Sequence, residues 1–391
     1  MKQKYFLLLF LFLNTAILFS QDNSIFYTRT EIADTNENKL FFNINTTSFL
    51  KNNEYFDTIV KQWELETLKG WTGIGFMLKP KLVYQPSKTT SIEAGYFLEK
   101  FSGRNNFYKP VPLFRVRQML TGSLELVFGQ LYGSLEHRLG EPVYRFDRYY
   151  SDNVEYGIQF LFSNRYFTND LWLNWEKFIF YDDPFKEEFV LGNVANFKYD
   201  INTNWKLNIP FHYTWTHAGG QIDRRIKNRD HEMSLNNIMT GIDIGYLYGK
   251  KLFKSINFSY LYYNYSAGAN PPSGEKFHQL FDEGYGYYFK TNIDFGSIKL
   301  MLGYWKAHNF IARRGEYIFE SIYEYLPGES ISDKSLYTFK FIYDKKIKKN
   351  IVFSMRTDMY YRPGRSNMDY SYAFYFIYND LFLIKKVMPV H

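Results

Sequence analysis

The 391-residue sequence contains no cysteine, so disulfide bonds and a lipid-modified N-terminal cysteine are both excluded. After its first twenty residues it also lacks any apolar run close to the roughly 18 residues that a membrane-spanning helix needs. The formal net charge is only +7, and the basic residues do not cluster into a stripe. The sequence therefore excludes helical spans in the mature chain and argues against nucleic acid as a partner.

The first residues have the pattern of a secretory signal peptide. Lys2 and Lys4 form a charged start, Tyr5–Leu13 is apolar, and Ala16–Ser20 supplies a small-residue end. We predict a signal peptide over residues 1–21 and a polar periplasmic segment over residues 22–39. The mature chain is thus expected to leave the cytoplasm.

Aromatic residues are abundant, at 21% of the chain, and many of them recur with a period of two. In Leu336–Asp344 and Ile351–Tyr361, apolar side chains alternate with polar ones that include lysine, arginine and aspartate. The same alternation runs through Trp205–Trp215 and Tyr285–Phe295. Successive side chains of a β-strand point to opposite faces. A strand with one apolar and one charged face suits a transmembrane barrel, in which one face meets lipid and the other a wet lumen.

Sixteen segments carry this strand pattern, and most of them are 10–15 residues long. A tilted strand crosses a bilayer in about 9–11 residues, whereas strands of globular proteins average about 5–6. The lengths thus favour a membrane barrel over a soluble sandwich. The predicted strands are 40–50, 72–84, 89–101, 111–119, 122–130, 153–163, 169–181, 188–199, 203–216, 234–248, 255–266, 283–295, 297–309, 335–345, 350–362 and 370–384.

Short and long connections alternate strictly between these segments, as in a barrel with tight periplasmic turns and longer extracellular loops. An even number of strands also leaves both termini in the periplasm. We therefore predict an all-β fold, a transmembrane antiparallel up-and-down β-barrel of about sixteen strands. The barrel is expected over residues 40–386, with a short C-terminal tail at 387–391.

Three local features leave alternatives open. Leu113–Gly129 could form one long strand, which would make the number of strands odd. Glu54–Leu68 has apolar residues near helical spacing and is compatible with a short extracellular helix. Pro210 falls inside a predicted strand, where its missing N–H predicts a β-bulge.

The chain resembles Gram-negative outer-membrane β-barrels of the porin type. The resemblance rests on the signal peptide, the alternating strands, the asymmetric loops and the aromatic final strand Tyr370–Ile384. It is architectural and involves no sequence motif. It implies a location in the outer membrane, contact with outer-membrane lipid and passage of small hydrophilic solutes, and an oligomer is compatible with it.

If the apolar faces meet lipid, charged residues of both signs line the lumen in equal numbers. Such a lining predicts a constriction that discriminates between solutes, without strong selectivity for anions or cations. The alternative is an interior in which the charges pair with one another. The predicted pore-lining residues are Lys79, Lys81, Arg115, Arg117, Glu125, Glu155, Glu176, Lys206, Asp243, Lys290, Asp294, Lys340, Arg356, Asp358 and Arg362, and the acids Glu93, Glu99 and Asp344 bring each sign to nine.

The loop Tyr132–Asp152 is unusually rich in charged residues and tyrosine. It is the third long connection, and in porins the third extracellular loop folds inward and narrows the pore. We expect its arginines to bind wall carboxylates such as Glu125, Glu155 and Glu176, because guanidinium groups bind carboxylates bidentately. The alternative is an exposed loop whose charges pair within it. The predicted constriction residues are Glu136, His137, Arg138, Glu141, Arg145, Asp147 and Arg148.

The sequence contains no recognisable catalytic motif: no histidine pair has HExxH spacing, and no serine lies in a GxSxG turn. We therefore predict that the chain is not an enzyme and that it needs no cofactor or metal. Two alternatives stay open. One is a barrel-embedded hydrolase that uses His212 or His308 with a neighbouring acid. The other is a metal site at His217 and His231, although the nearby carboxylates match no known spacing.

These observations predict a porin-like channel for passive or weakly selective passage of small hydrophilic solutes. Alternatives are a loop-plugged surface receptor or adhesin, a structural barrel without transport, and a carrier of hydrophobic compounds. The carrier is suggested by the aromatic content. It would need an N-terminal plug inside the lumen, for which the segment 22–39 is short and polar.

Overall fold

The computed structural model of the protein describes residues 22–55, 70–181, 183–219, 232–250, 252–271, 279–322 and 331–387. In these ranges the chain forms the predicted sixteen strands. They are β1 (Lys39–Glu54), β2 (Trp71–Gln85), β3 (Thr90–Phe101), β4 (Tyr108–Met119), β5 (Leu124–Gln130), β6 (Tyr156–Ser163), β7 (Phe167–Lys177), β8 (Glu188–Asp200), β9 (Trp205–Ala218), β10 (Met233–Leu247), β11 (Ser255–Ala269), β12 (Glu283–Asp294), β13 (Ile298–His308), β14 (Asp333–Lys348), β15 (Ile351–Tyr361) and β16 (Met368–Lys386).

The strands close into one barrel, which confirms the predicted fold class. Each strand pairs with its neighbours in sequence, and β1 pairs antiparallel with β16 to close the sheet. One rim carries the seven short connections, and the other carries the long ones, including residues 131–155 and 309–332. The second rim is therefore the extracellular one, because outer-membrane barrels place their long loops there.

Helical structure is minor in the described ranges. It comprises α1 (Arg148–Ser151) and four 3₁₀ turns, all of which lie before β1 or in the long loops. None of these helices is long and apolar enough to cross a membrane.

The two faces of the wall are as the alternation predicts. On β15, Ser354 and Tyr360 point inward and are 0% and 1% exposed, whereas Tyr361 points outward and is 43% exposed. Phe376 on β16 and Tyr337 on β14 are outward residues with similar exposure. The barrel thus presents apolar and aromatic side chains on its outside, where a bilayer solvates them.

Several of the open sequence features are resolved by the strand pairing. Residues 120–123 separate β4 from β5, so Leu113–Gly129 is not one strand. The bulge predicted at Pro210 is wrong. The pairing of β9 with β10 is interrupted at Ile209 and Pro210, and the register is the same on both sides of the interruption. The missing N–H of proline removes a ladder bond without adding a residue to the strand. The helix considered at Glu54–Leu68 falls outside the described residues apart from its first two, and the signal peptide lies wholly outside them.

Residues 22–28 of the segment before β1 lie inside the barrel, not outside it as the polarity of the segment suggested. Asn23 accepts a hydrogen bond from the Arg356 guanidinium at 2.6 Å. Phe26 is 5% exposed and packs against Tyr375 with ring centroids 5.0 Å apart. Inward charges of the wall, such as Arg356, need partners, and the polar segment provides them. The buried ring of Phe26 holds the segment in place among these charges.

Buried apolar residues form two main clusters within the barrel. One surrounds Trp305 and includes Phe310 and Phe319 of the loop 309–332. The other includes Phe26 and Tyr150, which come from the N-terminal segment and the loop 131–155. The packed core of this protein is therefore in the lumen.

Candidate functional site

The predicted pore-lining residues point into the barrel, where many of them pair with one another. Lys81 Nζ lies 2.7 Å from Glu93 Oε2, which Arg115 Nη1 also approaches at 3.2 Å. Arg117 Nε binds Glu125 Oε1 at 2.6 Å. All five side chains are almost completely buried. This network follows the alternative of mutual pairing, since buried charges without partners are costly.

Charged residues elsewhere on the inner wall are also paired. Lys340 Nζ binds Asp358 at 2.8 Å and also reaches Glu141 of the loop 131–155 at 2.7 Å. The role of these residues in lining a pore stays a prediction. The others that point inward are Lys79, Glu155, Glu176, Lys206, Asp243, Lys290, Asp294, Arg356 and Arg362.

The loop 131–155 lies inside the lumen and is mostly buried. Of the arginine contacts expected from its sequence, one is present: Arg148 Nη2 binds Glu176 Oε1 at 2.8 Å. Arg145 instead donates to the Tyr317 hydroxyl of the loop 309–332. The Arg138 guanidinium lies 5.2 Å from the centre of the Tyr27 ring.

The other two wall carboxylates already have partners. Glu125 binds Arg117 and Arg29, and Glu155 binds His137 and accepts from the Tyr144 hydroxyl at 3.0 Å. The expected contact of Arg145 with a wall acid is therefore wrong. The N-terminal segment and the second inward loop, whose positions the sequence did not indicate, provide the actual partners.

His137 is an anchor of this loop and not a free base. Its Nε2 lies 3.0 Å from Glu155 and its Nδ1 lies 2.8 Å from Asp170, and the ring stacks on Trp172 at 3.6 Å. Burial lowers the pKa of the imidazole, but the two carboxylates outweigh it and raise the pKa to about 9. The cation is thus held between two acids, with no nitrogen left for chemistry.

Residues 309–322 of the loop 309–332 are the second element that enters the lumen. Arg313 Nη2 lies 2.5 Å from Glu188, and Arg314 donates to Thr216 Oγ1 at 2.7 Å. Its Glu320 accepts a hydrogen bond from the backbone N–H of Ala312 at 2.8 Å. The described interior is therefore a tightly paired polar and aromatic core.

On the outside of the barrel, His217 and Ser234 form a hydrogen-bonded pair. They are cross-strand partners on β9 and β10, and His217 Nδ1 lies 3.0 Å from Ser234 Oγ. Both side chains are half-buried, whereas the inward neighbours on each strand, Ala218 and Met233, are fully buried. A serine hydroxyl beside an imidazole is the arrangement that activates a nucleophile in ester cleavage.

The position of this pair matches the membrane interface. The His217 ring lies 5.0 Å from Phe189 and 5.5 Å from Trp215, which are outward residues of β8 and β9. β9 ends one residue after His217 and β10 begins one residue before Ser234, so the pair is next to a long loop of the extracellular rim. Aromatic side chains gather at the level of lipid head groups. The pair therefore lies near the extracellular rim, among outward aromatic side chains.

Asn236 and Gly268 complete the surroundings of Ser234. Asn236 is two residues further along the outward face of β10, and its side-chain oxygen Oδ1 accepts a hydrogen bond from the Tyr213 hydroxyl at 2.8 Å. A Cβ at Gly268 would stand 3.3 Å from Ser234 Cβ and 3.4 Å from Asn236 Nδ2. Because glycine has no such atom, space is left on β11 next to the Ser234 Cβ and the side-chain amide of Asn236, whose N–H groups are hydrogen-bond donors.

The other described histidines are placed differently. His308 Nδ1 lies 3.1 Å from Asp333 Oδ1 at the exposed extracellular rim, so the neighbouring acid considered from the sequence is present. His212 is buried in the lumen, and its Nδ1 has no hydrogen-bond partner there. Within the described ranges, His217 is the histidine whose ring nitrogen meets a serine hydroxyl.

Sequence reasoning missed Ser234 and Asn236, and it considered His217 only as a metal ligand. The sequence did contain a signal for His217. It is two residues after Trp215, so the alternation that makes Trp215 lipid-facing makes His217 lipid-facing as well. His231, the other proposed ligand, lies outside the described residues. In the described ranges, no three His, Asp or Glu side chains are grouped to hold a metal ion.

The closed sixteen-stranded barrel defines an outer-membrane protein of porin-type architecture. OprD from Pseudomonas aeruginosa has a TM-score of 0.50 and 8% identity, over 91% of this chain and 96% of that chain. A structure of OccD1 (OprD) has a TM-score of 0.50 and 10% identity, over 90% of this chain and 100% of that chain. At these identities the similarity concerns the fold, and it confirms the predicted architecture. A barrel of this fold with an apolar exterior lies in the outer membrane.

The family follows from the sequence. The profile of the family described as Lipid A 3'-O-deacylase-type matches residues 32–387, and the chain belongs to that family. No curated protein sequence matches the chain. Because the family is one of enzymes, the prediction that the chain is not an enzyme is wrong. The search for linear motifs failed because residues that strand pairing brings together need not be adjacent in sequence.

Proposed function

We propose that this protein hydrolyses an ester-linked acyl chain of lipid A, or of a closely similar lipid, at the outer wall of its barrel. The observation that carries the proposal is the contact of 3.0 Å between Ser234 Oγ and His217 Nδ1 on the lipid-facing side. The family supports an acyl ester as substrate. The position of the pair near the extracellular rim supports an outer-leaflet lipid.

The chemistry assigned to these side chains is a two-step acyl transfer. His217 accepts the proton of the Ser234 hydroxyl as the oxygen attacks the ester carbonyl, and Asn236 donates to the resulting oxyanion. The C–O bond to the sugar breaks, and the imidazolium gives its proton to the departing sugar oxygen. A water molecule, deprotonated by His217, then attacks the acyl carbon; the bond to Ser234 Oγ breaks, the imidazolium returns its proton to Oγ, and the fatty acid leaves.

The filled lumen supports a reaction at the outer wall. The N-terminal segment and two inward loops occupy the interior, with their charges paired to the wall. A hydrophobic substrate reaches the outer wall directly from the bilayer, without entering this polar core. Passage of small hydrophilic solutes stays a prediction, since it requires these elements to move aside.

The test is release of fatty acid from lipid A by purified protein, followed by mass spectrometry. We expect Ser234→Ala and His217→Ala each to lower the rate by on the order of 10³-fold, since a nucleophile and its base act as a unit. A fluorophosphonate probe should label the wild-type protein at Ser234, and His217→Ala should suppress that labelling.

Matched control positions lie on β13 and β14, near the same extracellular rim. Ser335→Ala and His308→Ala remove the same groups from outward positions near the same rim, and we expect both to keep wild-type rates. Full activity in Ser234→Ala would refute the assignment. Loss of activity in His308→Ala, with Ser234→Ala unaffected, would move the reaction to the His308–Asp333 pair.

A further inference from the structure

The outer wall also carries an apolar groove, formed across β10–β15, with a volume of about 830 Å³. Its upper edge is a row of outward residues that are successive cross-strand partners: Ile242, Tyr260, Phe289, Tyr304, Tyr337 and Tyr361. A second outward row runs parallel to it one step nearer the periplasm. The groove therefore lies across the strands and faces the bilayer.

One residue of the lower row, Thr291, is smaller than its neighbours. Thr291 is flanked by its cross-strand partners Phe258 and Leu302, which are 50% and 54% exposed. These larger side chains stand out on either side of the threonine. The lining is therefore mostly aromatic and aliphatic, with a notch at Thr291 between the two larger side chains.

A cation stands on the extracellular side of the groove. Lys306 is two residues beyond Tyr304 on the same outward face of β13, and it is exposed. A strand rises about 3.3 Å per residue, so the Cα of Lys306 lies one row above the groove, roughly 7 Å along the strand from Tyr304. The order from the bilayer centre outward is thus apolar groove, tyrosine row and positive charge.

We propose that this groove binds an acyl chain of an anionic outer-leaflet lipid, whose head group is held by Lys306. The bilayer is the environment of this wall, so a lipid is the molecule available to fill the groove. The volume lies within the roughly 300–1,000 Å³ of small-molecule sites. The lysine favours a negatively charged head group over a zwitterionic one.

The groove is distinct from the Ser234–His217 pair. On β10, Ile242 is eight residues from Ser234, which corresponds to roughly 26 Å along the strand. The binding proposed for the groove therefore does not depend on hydrolysis at Ser234, and each of the two proposals can fail without the other.

The experiment is native mass spectrometry of the protein with phosphatidylglycerol or phosphatidylcholine carrying identical acyl chains. We expect wild-type protein to retain phosphatidylglycerol preferentially. Thr291→Phe, which fills the notch, should weaken retention of both lipids by about tenfold. Lys306→Gln should remove the preference for phosphatidylglycerol while retention of phosphatidylcholine is unchanged.

The matched control is Thr240→Phe, the same substitution at an exposed, lipid-facing position on β10 outside the groove. It should bind lipid like the wild type, and so should Ser234→Ala. Unchanged retention in Thr291→Phe, or equal loss in Thr240→Phe, would overturn the proposal. If Thr291→Phe does not assemble, Lys306→Gln decides alone, and an undiminished preference for phosphatidylglycerol would then refute it.

Discussion

Glu320 is a carboxyl group buried inside the barrel, and its ionisation should control how firmly the loop 309–332 is held. Burial raises its pKa to about 8, which the hydrogen bond from Ala312 only partly offsets. Lys334 Nζ donates to the backbone carbonyl of Glu320 at 2.6 Å, and not to its carboxyl group. At neutral pH the proton therefore stays on the folded protein, whereas an unfolded chain releases it near pH 4.5.

The sign of the pH dependence follows from this difference. Between pH 4.5 and 8 the folded state binds more protons than the unfolded state, so stability falls as pH rises through this range. Glu320→Gln keeps the oxygen that accepts from Ala312 but cannot ionise. We expect its free energy of unfolding at pH 9 to exceed that of the wild type by on the order of 1–3 kcal/mol, with the gain disappearing near pH 4.

Urea unfolding in detergent at both pH values measures this effect. Glu283→Gln is the control, since Glu283 is exposed at the extracellular end of β12. The same gain in the control, or a gain that does not change with pH, would show that the ionisation of Glu320 does not act as proposed.

At the scale of elements, three segments build one plug. The N-terminal segment joins the loop 131–155 through Thr28, whose backbone N–H donates to Glu136 at 2.8 Å. The two loops join through backbone bonds, from Arg145 to Arg314 at 2.7 Å and from Glu316 to Glu141 at 2.9 Å. The segments therefore support one another as well as contacting the wall.

This arrangement predicts how the lumen responds to deletions. Removing Glu136–Tyr149 leaves the N-terminal segment and the loop 309–332 in place, so single-channel conductance should change little. Removing residues 22–33 as well should raise conductance on the order of tenfold, because two of the three plugging segments are then gone. Recordings in planar bilayers measure this, with heat-modified electrophoretic mobility as the check on barrel assembly.

If the deletion of Glu136–Tyr149 alone opens the pore fully, that loop is the constriction that its sequence suggested. Equal conductance in the wild type and the double deletion would instead mean that the loop 309–332 closes the lumen by itself. The two deletions thus assign the closure to particular elements.

The strands were predictable from the sequence because lipid on one side and a polar lumen on the other impose a period of two on every strand. The plug was less predictable. The segment before β1 is polar, and Phe26 gives no sign of the wall residues it meets. The Ser234–His217 pair was hidden for another reason. The two residues are cross-strand partners, and alternation fixes the face on which a residue lies but not its register with the next strand.

For the molecule as a whole, the plugged lumen and the functional outer wall are complementary. The polar and aromatic packing that stabilises the barrel lies inside it, so the outer surface is left to bind lipid. The Ser234–His217 pair and Lys306 both lie towards the extracellular rim, on different parts of the wall. On the proposed assignment, the protein acts on the leaflet that surrounds its extracellular rim.

This placement predicts that the protein deacylates lipid in one leaflet only. Ser234 is the second residue of β10, at the extracellular end of the wall, and the strand continues for thirteen residues to the periplasmic rim. At about 3.3 Å per residue, an ester bond in the inner leaflet is tens of ångströms away. In vesicles with uniformly oriented protein, lipid with an isotopically labelled ester-linked chain in the leaflet at the extracellular rim should lose that chain, and lipid labelled in the other leaflet should keep it. Ser234→Ala sets the background, and equal release from both leaflets in the wild type would mean that the reaction occurs elsewhere on the barrel.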